Sequence, residues 1–119
     1  MTNQTRTTAL NGVTATTTSA PVALGMIGRT SIQFTAASIT SGNGVFTVLV
    51  SNDGTNFVAY NRITTNVTNT NAQTDTRVAS VTLNSNTSSV VTIPDTFAFL
   101  KVVCTVTTDG AYTATVVTS

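Results

Sequence analysis

No histidine, glutamate or tryptophan occurs in this chain of 119 residues, lysine occurs once, at Lys101, and cysteine once, at Cys104. Each absence removes a class of function. General acid–base catalysis needs a histidine or a tuned carboxylate beside its partner, and the four acidic residues, Asp53, Asp75, Asp95 and Asp109, stand far apart in the sequence. A single cysteine excludes an intrachain disulfide. Cys104 alternates in phase with Leu100, Val102 and Val106, which marks it as a core thiol rather than a nucleophile. The chain therefore reads as non-enzymatic, with no catalytic residue and no cofactor.

Charge is also scarce. Charged residues make up 8% of the chain and the formal net charge is +1, where a soluble domain usually carries about 25%. Arg6, Arg29, Arg62, Arg77 and Lys101 are scattered, so no basic stripe exists to neutralise successive phosphates, and nucleic acid is not an expected partner. No apolar run approaches the length of a membrane span, and the opening MTNQTRTTALNGV lacks the apolar core of a secretory signal. A protein without membrane contact or processing is the expectation.

Threonine, valine, asparagine and serine dominate what is there. Thr and Val branch at the β-carbon and favour the pleated strand, while the helix formers Glu, Lys and Leu are rare or missing. The predicted class is all-β: an antiparallel β-sandwich of about eight strands, jelly-roll or immunoglobulin-like, with turn signals at sandwich spacing. Residues 1–20 form a Thr-rich N-terminal arm or edge strand, and residues 21–119 a single sandwich domain. TSIQFTAAS places Ile32, Phe34 and Ala36 on one face. VFTVLV places Phe46, Val48 and Val50 on one face, but Val45 and Leu49 on the other, so a second layer or a neighbour must cover it. TTNVTNTNAQTDT, from Thr64 to Thr76, is too polar for a core strand and reads as a long loop. RVASVTL follows, with Ala79, Val81 and Leu83 in phase.

SNDGTN, between VLV and FVAY, is the segment closest in appearance to a binding loop. A calcium loop needs several oxygen ligands at alternate positions and a late carboxylate, and this loop offers Asp53 alone. Asn52 and Asp53 fit the centre of a type I turn, with Gly54 in the left-handed conformation closing a three-residue hairpin. Asp109 and Gly110 repeat the device between the last two strands, predicting a second hairpin. No metal site is assigned. A sugar platform would want exposed aromatics, for which Tyr60, Tyr112, Phe97 and Phe99 are the candidates.

GVFTVLVSNDGTNFVAY, followed after a polar segment by FAFLKVVCTVTTDGAYTATVV, resembles the small β-sandwich virion proteins of tailed bacteriophages. In that family a strand, an S-x-DG-x-x-aromatic hairpin and a closing strand pair recur, the pair opening with an aromatic and an aliphatic-basic-aliphatic run; Phe99-Leu100-Lys101-Val102 occupies that place, and the likeness spans Gly44 to Val117. It implies a virion structural protein, assembled in the host cytoplasm, that carries no catalytic residues. Capsid decoration or cementing is the first expectation. A tail, neck or fibre module, or another extracellular filament subunit, is the second; a carbohydrate-binding adhesin is the third. The implied partners are copies of the chain, a homo-oligomer with a trimer among the symmetries, and a major capsid or other virion protein. The candidate contact residues are Val45 and Leu49 on the strand and Thr16 and Thr17 in the arm.

Overall fold

Alternating apolar and hydroxyl side chains sort the body of the chain into two sheets, beside a separate two-stranded one, in the computed structural model, which describes residues 5–25, 29–60, 62–69, 72–78 and 80–118, with 62–69 and 72–78 described as strands without their side chains. The strands are β1 (Thr5–Val13), β2 (Thr17–Thr18), β3 (Val22–Ala23), β4 (Thr30–Ala37), β5 (Asn43–Ser51) and β6 (Val58–Ala59). The second half supplies β7 (Arg62–Asn69), β8 (Ala72–Val78), β9 (Ser80–Leu83), β10 (Ser88–Ile93), β11 (Phe99–Thr107) and β12 (Ala111–Thr118). A four-stranded sheet runs β1-β12-β4-β10. A six-stranded sheet is built on β11 and β5: β2 and β3 pair with the outer side of β11, and β6 and β9 with the outer side of β5. Every pairing is antiparallel, and the four- and six-stranded sheets share one core, which makes the molecule a β-sandwich.

The two strand orders correspond. Reading across, β1 matches β2, β12 matches β11, β4 matches β5 and β10 matches β9, so each strand of one sheet continues in sequence into its counterpart in the other. This is jelly-roll order, in which chain neighbours lie in opposite sheets, rather than immunoglobulin order. The connections from one sheet to the other at β1–β2, β4–β5, β9–β10 and β11–β12 gather at one end, where Ala111 faces Ala37, Thr107 faces Asn43 and Leu83 faces Gly44.

The predicted alternation holds in the core strands. Ile32, Phe34 and Phe46 are fully buried, as are Leu100, Val102 and Cys104, while Val48 and Val50 are nearly so. Phe34 stacks on Phe46 with ring centroids 4.5 Å apart, and Tyr112 meets Phe46 edge-on at 6.0 Å. Aromatic contacts of this kind contribute about 0.5–1.5 kcal/mol beyond the area they bury. These rings join the two sheets: Phe34 and Tyr112 come from the four-stranded sheet and Phe46 from the other.

Two expectations are corrected and a third is narrowed. Of the arm and the edge strand expected for residues 1–20, the described residues show the edge strand, which belongs to the sandwich itself and not to a segment apart from a domain beginning at residue 21. β1 pairs with β12 from Thr5↔Thr118 to Val13↔Tyr112, and Leu10 is buried in the core. An edge strand needs few large apolar residues, because backbone pairing holds it and one side chain seals the sandwich. The Asp109-Gly110 bend is not a hairpin, since β11 and β12 lie in different sheets. Turn residues report that a chain bends, not which strand it pairs with next. Third, within the described residues the Thr64–Thr76 segment belongs to a hairpin in which β7 and β8 pair with each other from Arg62↔Val78 onward. Its sequence is polar at alternate positions on both faces, so hydrophobic periodicity gives no sign of it. Ala79 lies outside the described residues; Val81 packs against the core and Leu83 is buried.

The hairpin is an insertion into a single ladder. Tyr60 donates its N–H to the Val48 carbonyl at 2.8 Å. Ser80 is the partner of Thr47, the adjacent residue of β5. β6 and β9 are thus two pieces of one strand, and the chain leaves the ladder after Tyr60 and rejoins it at the next rung.

Candidate functional site

Three surfaces carry the residues singled out by sequence. The first is the 52–57 loop, which links β5 to β6 through the pairing Val50↔Val58. It is longer than the three-residue bend predicted, because its polar side chains build a wider turn. The Ser51 hydroxyl accepts the N–H groups of Asp53 at 3.2 Å and Gly54 at 3.0 Å, and donates to the Asp53 carboxylate at 2.9 Å. Asp53 also accepts the Thr55 and Asn56 N–H groups and the Asn56 amide, each at 2.8 Å. These donors, the Asn56 and Thr55 backbone first, hold its carboxyl well below the usual range. Asn52 reaches across to accept the Ala98 N–H at 3.3 Å. Gly54 takes φ +77°, the left-handed conformation. Asp53 therefore staples its own loop, and its oxygens are occupied by that work.

Asp109 plays the same part at the other end. Its carboxylate accepts N–H groups from Thr40, Ser41 and Gly42, with Thr40 the leading cause of its lowered pKa. Thr108 takes φ +71° and Gly110 φ +116°. A Cβ on Gly110 would meet the Tyr112 hydroxyl, which donates to the Asp109 carbonyl at 2.8 Å. Among the described residues, no three His, Cys, Asp or Glu side chains come together in a metal-binding group.

The outer face of the six-stranded sheet holds Val45 and Leu49, both half-buried. Leu49 lies between Lys101 on β11 and Ala59 on β6. Phe57 folds back so that the Lys101 ammonium stands 4.3 Å from its ring centroid, a cation–π contact. The chain's own loop thus reaches this face at Lys101, the strand partner of Leu49. Thr16 and Thr17 are tied to the same sheet, not free to reach outward. Thr16 accepts the Val106 N–H at 3.1 Å, and Thr17 is the strand partner of Cys104.

The outer face of the four-stranded sheet forms the third surface, a shallow groove of about 440 Å³ whose lining includes Arg6, Thr8, Gln33, Thr35, Val90 and Thr115. Hydroxyl and amide groups with one guanidinium suit hydrogen bonding to a polar partner. They offer no nucleophile with an activating base. The aromatic candidates do not assemble there: Tyr112 is buried, Phe99 packs beneath Gly54, and Tyr60 meets Phe97 edge-on at 5.7 Å while reaching toward Asp95.

Sequence reasoning missed the lateral edge of the sandwich. Among the described residues, the exposed large apolar side chains are Val58 at 65% and Val90 at 60%. One lies on β6 and the other on β10, the strands ending the two sheets on the same side. The signal was present in SSVVTI, a strand with adjacent valines and no charge. Comparison with known protein families, curated proteins and solved structures gives no match.

Proposed function

We propose that this protein is a non-enzymatic structural subunit of a tailed-phage virion, with decoration of the capsid lattice its first role and a tail, neck or fibre module the alternative. The phage assignment rests on the residue pattern of the 44–117 region. The structural role is supported chiefly by how the carboxylates are used: Asp53 and Asp109 are each enclosed by donors from the fold's own loops. A domain that spends Asp53 and Asp109 on its bends, and whose exposed large apolar side chains among the described residues stand on edge strands, is suited to contact with other subunits. Self-association and binding to a shell protein are the interactions proposed, in a particle assembled in the host cytoplasm.

The test is co-sedimentation of the purified chain with expanded phage heads and with isolated tails. Saturable binding to heads supports decoration, binding to tails alone supports the alternative, and binding to neither removes the virion reading. The groove beside Arg6 and Gln33 favours one further reading, a module that binds glycans through hydroxyl and amide contacts. Retention on a glycan array that is lost in Gln33→Ala supports that reading.

A further inference from the structure

We infer that a second copy of this chain pairs with β10, edge to edge, across a two-fold axis at Val90. The inference deepens the self-association proposed above and rests on that part of it, not on the phage assignment.

Pairing geometry identifies which groups face outward. Among the described residues β10 pairs with β4 alone and ends the four-stranded sheet. Ala36 donates its N–H to the Thr87 carbonyl at 2.9 Å, which extends the ladder one residue beyond Thr35↔Ser88. Bonded and non-bonded pairs alternate in an antiparallel ladder, so Ser89, Val91 and Ile93 turn their backbone groups toward β4. Ser88, Val90 and Thr92 then direct theirs to the open edge.

The two outer strands of this sheet differ. β1 carries Arg6, register shifts at Thr8/Leu10 and Leu10/Val13, and Gly12 at φ +60°. Bulges and charge are devices that blunt an edge against further pairing. β10 has none of them: its register against β4 is continuous over Ser88–Ile93, it bears no charge, and Pro94 stands just beyond its end. One edge is closed and the other is open.

The open edge is also self-complementary. Its outward residues read hydroxyl, valine, hydroxyl in either direction, so a two-fold operation superposes Ser88 on Thr92 and Val90 on itself. Paired this way, the backbone groups of Ser88, Val90 and Thr92 in each copy bond those of Thr92, Val90 and Ser88 in the other. The two Val90 side chains cover each other, and each Ser88 hydroxyl meets a Thr92 hydroxyl. The sheets join into one continuous sheet, with the two outer grooves side by side.

Register makes the proposal testable in the full chain. Across a bonded antiparallel pair, Cα atoms lie about 5.5 Å apart, within disulfide range. Two Ser88 residues would be separated by roughly 14 Å along the strands. Cys104 is buried and does not compete. Under mild oxidation, Val90→Cys should form a covalent dimer and Ser88→Cys should not, both variants retaining the wild-type melting profile when reduced. Val90→Pro, whose lost N–H faces outward and has no partner among the described residues, should raise the dimer dissociation constant at least about tenfold in sedimentation equilibrium. Equal cross-linking of the two cysteine variants, no cross-linking of Val90→Cys, or a wild-type chain that stays monomeric at roughly 100 times the micromolar range of specific complexes overturns the inference. Head and tail binding is measured separately: a dimer that ignores both leaves this pairing intact and removes the virion reading, while a monomer that binds heads does the reverse.

Discussion

Gly42 donates its N–H to the Asp109 carboxylate at 2.9 Å, joining the β4–β5 connection to the β11–β12 connection across 67 residues of sequence. Thr40 and Ser41 donate to the same group. One carboxylate thereby ties together two of the passages between sheets. Gly42 is confined to glycine by packing, since a Cβ would meet the Thr107 carbonyl and the Asp109 backbone.

The first prediction concerns acid. Hydrogen bonds from Thr40, Gly42 and Ser41 favour the charged form of Asp109, so its folded pKa lies below its unfolded one. The stability it contributes is present above the unfolded value near 3.9 and is lost as pH falls through the folded value. Asp109→Asn should lower the melting temperature at neutral pH, and the gap from wild type should shrink as pH falls below about 4. A gap constant from pH 7 to pH 2 would show that the charge contributes nothing. Asp53 titrates in the same direction, so the difference between variant and wild type is the informative quantity.

The second concerns two glycines that are special for different reasons. Gly54 has φ +77°, and a β-branched residue there should cost about 1–2 kcal/mol of strain. Gly44 has no such conformation, but a Cβ would lie 2.5 Å from the buried Tyr112 ring. Gly44→Ala should therefore destabilise by about 1–3 kcal/mol through overpacking. Urea denaturation separates the two causes: Gly54→Ala should lose most of what Gly54→Val loses, whereas in Gly44→Ala the near-ultraviolet signal of Tyr112 should also change.

The class and the core strands were legible because they obey period two. Ile32, Phe34 and Ala36 on β4 alternate with polar or smaller neighbours, Phe46, Val48 and Val50 on β5 alternate with the half-buried Val45, Thr47 and Leu49, and both sets are buried as period two requires. The bends at Gly54 and Gly110 were legible because positive φ selects glycine. What could not be read was the destination of the chain after each bend. Asp53-Gly54 returns the chain within one sheet, and Asp109-Gly110 sends it to the other, with the same two residue types. The difference lies in donors from the remote Thr40–Gly42 segment. The buried role of Tyr112 was hidden for a related reason, since its ring fills space left by glycines at both Gly44 and Gly110.

Cys104 should be inert in the native protein. It is fully buried, and that burial pushes the thiol up to about 11. At pH 8 it would be roughly 0.1% thiolate even if reached by reagent. Maleimide labelling should therefore proceed only through unfolding, its rate rising with urea. Stoichiometric labelling within minutes in native buffer would place the thiol at the surface. The raised pKa also means that stability falls as pH rises from the unfolded value near 8.5 toward 11, because the unfolded thiol releases its proton first. Tyr112, likewise raised by burial, adds to the same alkaline loss.

The last prediction follows from the ladder on β5. Tyr60 bonds Val48 and Ser80 pairs with Thr47, so removing residues 61–79 and joining Tyr60 directly to Ser80 preserves the register on both sides of the junction. Side-chain alternation is preserved as well: Tyr60 and Val81 both pack against the core, and Ser80 between them takes the outward position. The shortened chain should fold into the same sandwich with cooperative urea unfolding, and amide exchange should show continuous protection from Ala59 through Leu83. Stability should not fall at the junction, since the deletion removes no rung of the ladder and returns the closure entropy of the excursion, on the order of a few kcal/mol at most. Deleting one residue fewer or one more shifts the register by one and exchanges the faces of Val81 and Leu83, placing both toward solvent. Those two neighbouring deletions should be strongly destabilised relative to the 61–79 deletion. Equal stability across all three would mean that the two strand pieces are not parts of one ladder. If the 61–79 deletion folds but no longer binds phage heads that the full chain binds, the β7–β8 hairpin is the contact with the shell.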